Sequence, residues 1–176
     1  MKNLLTIAAA LAIAASAAMA APVTVTYSWE DGNTALGSYG SVEIVDNVTG
    51  EVTGKKASVD YTCPGAADGS RYLQVAETPH SGTPQIYVAF IEGLTDGDTV
   101  EANFAGYDIW AGESPSLRVW GHYAVTGDID KYEGSASGNT DYTDGSGWGN
   151  VSHTWTFDSD GGTRDALVVE ARLYSS

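Results

Sequence analysis

Between Ser116 and Tyr174 large side chains recur at every second position. Leu117-Arg118-Val119-Trp120-Gly121-His122-Tyr123, Val151-Ser152-His153-Thr154-Trp155-Thr156-Phe157 and Leu167-Val168-Val169-Glu170-Ala171-Arg172-Leu173 are each closed by Gly, Asp, Ser or Asn. A period of two sends successive side chains to opposite sides of an extended strand, whereas a helix needs a period of 3.6. The same grammar runs upstream through Val23–Trp29, Val42–Val45, Ser58–Tyr61, Arg71–Ala76, Gln85–Gly93 and Thr99–Tyr107. Residues 34–41, Asn47–Lys56 and 126–150 read as loops rich in turn formers. No amphipathic helical period follows residue 20. The expected fold is all-β, an antiparallel β-sandwich of the jelly-roll kind.

Alternation also assigns faces. Leu117, Val119 and Tyr123 mark one side of their strand as core, so Arg118, Trp120 and His122 stand in a row on the other. Trp155 and Phe157 alternate with Thr and are expected in the core. Ile86, Val88 and Phe90 are expected together on one face. Thr99–Tyr107 is expected to pair back on Gln85–Gly93, with Val100, Ala102 and Phe104 inward and Glu101, Asn103 and Ala105 outward. Asn103 would then join the Arg118 row. Trp110 and Trp148, with Asp108, Tyr132 and Tyr142, would rim that face from loops. An indole stacks on the C–H face of a pyranose while planar donors bind its hydroxyl pairs. The row therefore has the chemistry of a sugar-binding face, with Arg118, Trp120, His122, Asn103, Trp110 and Trp148 as its ligand-binding residues.

Residues 1–20 read as a signal peptide: Lys2, an apolar run from Leu4 to about Ala15, and Ala18-Met19-Ala20 as the cleavage site. Residues 21–176 are then one domain of ordinary size, secreted, extracellular or periplasmic. That apolar run is too short to span a bilayer and no longer one follows, so no membrane span is expected. Eight Lys and Arg stand against 23 Asp and Glu, a net charge of −15. Such a surface repels a phosphate backbone, which excludes nucleic acid as a partner class. Neutral polysaccharides, glycoconjugates and divalent cations remain compatible. Cys63 is the single cysteine, so no internal disulfide forms.

Three short motifs carry a resemblance. Trp29-Glu30-Asp31-Gly32 comes early, Gly69-Ser70-Arg71-Tyr72-Leu73-Gln74-Val75 follows, and Val169-Glu170-Ala171-Arg172-Leu173 ends the last strand. This pattern resembles the galactose-binding-like jelly rolls, in particular carbohydrate-binding modules of the family 4, 9 and 22 type. Ala171 and Arg172 depart from that family's closing motif. The resemblance implies a structural Ca²⁺ joining the first and last strands. Glu30 and Glu170 would be its side-chain ligands and carbonyls near Gly69-Ser70 would complete an oxygen shell, as a hard cation requires. On this reading a chelator lowers the melting midpoint.

Catalytic signatures are missing. No nucleophile elbow, zinc-protease helix or local Cys–His pair occurs, and the three His lie far apart. Glu43 and Asp46, three apart on a strand, fall on opposite faces and do not make a glycosidase pair. The expectation is a secreted, non-catalytic module that binds a glycan. The alternative is an extracellular envelope, matrix or filament subunit that self-associates through Ca²⁺ bridges, favoured by the solitary domain and the acidic, Gly-rich surface.

Overall fold

The computed structural model describes residues 22–26, 29–31, 35–40, 42–46, 52–54, 66–77, 83, 85–108, 116–139 and 147–174. The expected signal peptide at 1–20, the strand at Ser58–Tyr61, Cys63, Trp110 and Tyr142 lie outside these residues. The chain is all-β among the described residues, and every strand pairing is antiparallel. A 3-10 turn at Trp29–Asp31 precedes β1 (Gly37–Tyr39), β2 (Val42–Asp46), β3 (Val52–Gly54) and β4 (Leu73–Glu77). Then come β5 (Gln85–Glu92), β6 (Thr99–Asp108), β7 (Ser116–Ala124), β8 (Ser135–Gly138), β9 (Gly147–Thr156) and β10 (Ala166–Tyr174). Five strands form one sheet in the order β1-β5-β10-β7-β8, three form β3-β2-β4, and two form β6-β9. Among the described residues no helix is long and apolar enough to cross a membrane.

The main core lies between the five-stranded sheet and the β6–β9 pair. Val119, Leu167 and Val169 from the first meet Val100, Val151 and Trp155 from the second, with Ala89, Ile91 and Phe104 packed around them. Trp155 is 4% exposed and Phe157 2%, as their alternation with Thr predicts. Gly121 makes room for this layer. A Cβ there would sit 3.3 Å from Trp155 Cζ2 and 3.2 Å from the Val168 carbonyl oxygen.

Four expectations fail, each for a nonlocal reason. Residues 22–26 form no strand and leave Val23 88% exposed, and among the described residues no strand pairs with them. The Gly- and Ser-rich stretch and the polar loops instead contain β1, β3 and β8, three short strands recruited to sheet edges. β6 does not pair back on β5. Leu94 N–H donates to the Asp165 carbonyl (2.8 Å) and Gly97 N–H to the Phe157 carbonyl (2.9 Å), so the connection crosses from one sheet to the other. Both strands have an apolar face, and stacking the faces buries more than setting the strands side by side. Finally, a register shift between Val169 and Glu170 skips Val88. This β-bulge turns Phe90 away from Ile86, into a second cluster with Tyr87, Ala124, Ala166 and Val168.

Candidate functional site

The bulge shapes the other face of the five-stranded sheet. Tyr39, Gln85, Arg172 and Arg118 stand in register across β1, β5, β10 and β7. Tyr87, Glu170 and Trp120 form the next row, and Phe90, Val168 and His122 the row after it. Alternation in β7 placed Arg118, Trp120 and His122 on one side, and they are there. Their cross-strand neighbours come from β5 and β10, which local pattern does not reveal.

The floor of this face is a closed polar network. His122 Nδ1 lies 2.5 Å from Glu170 Oε1, with the two side chains 3% and 1% exposed. Arg172 donates to Glu170 Oε2 from Nε (3.2 Å) and Nη2 (2.9 Å). Gln85, with its amide turned to satisfy both ends, donates to the two Glu170 oxygens at 3.2 and 3.1 Å and accepts from Arg172 Nη2 at 2.9 Å. Tyr87 meets the His122 ring edge-on at 5.0 Å. Burial first, and the Glu170 charge second, push the Tyr87 hydroxyl up from its usual value, which keeps it a neutral phenol. A buried carboxylate among unpaired groups is costly, but here its lone pairs all have donors, so the network holds one geometry.

Aromatic rings stand above this floor. Trp120 is half-buried, donates from Nε1 to Ser135 Oγ on β8 (3.1 Å) and carries the Arg172 guanidinium 4.6 Å from its ring centre. Tyr132 tilts over His122 at 5.6 Å and is 64% exposed. Tyr39, at the opposite edge on β1, is 66% exposed. The face therefore offers flat apolar rings held by a rigid polar bed.

The remaining expected site residues are elsewhere. Asn103 pairs with Ser152 on the outer side of β6–β9, and Trp148 pairs with Tyr107 on that same side. These two are separated from the Arg118 row by the whole core, because β6 joins β9 and not β5. Trp110 lies outside the described residues. Sequence reading missed Tyr39, Gln85, Tyr87 and Arg172. Tyr39 sits in a stretch whose Gly and Ser read as loop, and the bulge hides the side on which Gln85 and Tyr87 fall.

Glu30 and Glu170 hold separate partners. Glu30 accepts from Ser70 N–H (2.6 Å), Ser70 Oγ (2.9 Å) and Arg71 N–H. The Ser70 amide, then the Arg71 amide and the Ser70 hydroxyl, hold its carboxyl below the usual range. Gly69, at φ +68°, lets the loop close on it, since a Cβ there would lie 2.6 Å from Glu30 Oε1. Amides, not carbonyls, of the Gly69-Ser70 loop face this carboxylate. The contacts described for the two carboxylates are hydrogen-bond donors and not the carbonyl oxygens that the resemblance implies. Among the described residues no three His, Cys, Asp or Glu side chains converge as a metal site.

Comparison of the chain with protein-family models, curated proteins and solved structures finds no match.

Proposed function

We propose that this protein is a secreted, non-catalytic β-sandwich of the jelly-roll kind that binds a glycan on the face of its five-stranded sheet turned away from the β6–β9 pair. The packing of that sheet on the β6–β9 pair supports the sandwich. The observation that carries the function is Tyr39, Trp120 and Tyr132 around the Gln85–Glu170–Arg172–His122 floor. Sugar recognition needs flat apolar surface for C–H faces and planar polar groups for hydroxyls, both fixed before the ligand arrives. Preorganisation lowers the ordering cost of binding, which matters for a ligand that gains only a few stacking contacts.

The same floor argues against catalysis. His122 and Glu170 are buried, and Arg172 and Gln85 take up the Glu170 oxygens, so the pair cannot reach a substrate as acid or base. Residues 21–176 are expected to be retained on at least one of cellulose, chitin, xylan, mannan and starch, and Trp120→Ala is expected to lose that retention while staying folded. Undiminished retention of the folded variant would remove this face from the reading. Failure of the unaltered protein to bind any of the five would remove the reading itself.

A further inference from the structure

The outer side of β6–β9 is a second surface of related chemistry. Ten residue pairs lie in register along the two strands, and every other pair points away from the core. Asn103, Asn150 and Ser152 are exposed there, at cross-strand positions that bring amides and a hydroxyl together. The strip ends on Tyr107 and Trp148, which meet edge to face with ring centres 5.4 Å apart and planes at 70°. Trp148 is 37% exposed. Glu101 is the one acidic side chain among the outward pairs from Thr99–Thr156 to Tyr107–Trp148. In a chain with 23 Asp and Glu, so nearly uncharged a strip suits a neutral ligand. Its inner side packs on the core side of the five-stranded sheet, so the strip and the Trp120 face point in opposite directions.

We propose that this strip is an independent sugar-contacting surface, and that a single copy of the protein bridges two chains of a neutral polysaccharide. The inference rests on the glycan reading of the Trp120 face and adds to it a second, opposed site. Two surfaces facing the same way would raise the affinity for one chain, because the second contact becomes intramolecular. Two surfaces facing apart cannot engage one flat chain together, so their joint effect is cross-linking. Exposed amides and hydroxyls at strand spacing are the partners a row of sugar hydroxyls needs, and the terminal indole supplies the stacking ring.

The test is a two-layer capture. Protein is bound to whichever of the five insoluble polysaccharides retains it, the excess is washed away, and a fluorescent soluble fragment of that same polysaccharide is added. Sedimentation measures the mass of the protein in parallel. The expected result is capture of the fragment by monomeric protein, lost in Trp148→Ala and weakened in Asn150→Ala, with Trp148→Ala folded and still on the solid phase. Retention without capture overturns the second site and leaves the first intact. Capture that survives in Trp148→Ala, or that follows a dimer in sedimentation, also overturns it, the latter by assigning the strip to a second copy of the chain. No retention on any of the five overturns the glycan reading, and this inference with it.

Discussion

Glu170 is where the residue scale decides most. One carboxylate, 1% exposed, satisfies His122, Arg172 and Gln85 at once. Glu170→Ala strands a buried imidazole and a mostly buried guanidinium, at a cost of about 3–5 kcal/mol. Urea unfolding of the variant should show that loss as a lower midpoint. Glu170→Gln keeps the shape and one acceptor and should lose less; equal midpoints for the two variants would show that the carboxylate charge, and not the retained shape, holds the site. Other single residues set the response to pH. Asp96 is held below the usual carboxylate range by the Ser159 amide and hydroxyl, and Asp98 by those of Thr95, as Glu30 is by its loop. Burial lowers His153. In all four the unfolded chain takes up the proton first, so stability rises with pH across each window. The His153 contribution is complete above about pH 6.5 and fades as pH falls through its lower folded value. The carboxylate contributions are complete above about pH 4 and fade below it. The melting midpoint should therefore fall in two stages on acidification. His153→Gln should remove the upper stage, and an upper stage that persists in that variant would assign it to another group.

At the scale of elements, alternation predicts faces well where a strand is straight and both neighbours respect the period. β7 is such a strand: Leu117, Val119 and Tyr123 go inward, Arg118, Trp120 and His122 outward. β5 is not, because the register shift at Val88 changes which residues share a side, and Phe90 follows Tyr87 instead of Ile86. A bulge is decided by the partner strand, which no window on β5 contains. Pairing itself is equally nonlocal. The short Leu94–Asp98 connection looks like a hairpin turn, yet backbone bonds to Phe157 and Asp165 carry the chain across to β9. That single difference moves Asn103 from the Trp120 face to the opposite side of the molecule. Trp155 shows what the crossing achieves. It sits against Gly121, between β9 and the five-stranded sheet, and its Nε1 donates to the Ser137 carbonyl on β8 (3.1 Å). Trp155→Ala removes the largest side chain of that interface and should cost about 3–5 kcal/mol. A loss under about 1 kcal/mol in urea unfolding would mean that the two sheets do not depend on each other for stability.

For the whole molecule, charge separates what holds the fold from what binds the ligand. A net charge of −15 on a chain of this size repels itself in the compact state. Salt shortens the reach of that repulsion to about 8 Å at physiological ionic strength and about 3 Å at 1 M. Raising NaCl from low to high concentration should therefore raise the melting midpoint. The proposed recognition works differently. Stacking on Tyr39, Trp120 and Tyr132 and hydrogen bonding to hydroxyls involve no net charge on the ligand, so no counterions are released when it binds. The floor charges are buried and paired, which shields them from the same salt. Retention on a neutral polysaccharide should thus stay constant over the salt range in which the midpoint climbs. A steep decline in retention would mean that the ligand is anionic and that Arg118 and Arg172 bind it by charge. A steep increase would mean that the acidic surface opposes binding and that salt relieves it. Only a flat profile fits a neutral glycan on a rigid aromatic face, and measuring midpoint and retention in the same buffers keeps a change in folding from being read as a change in binding.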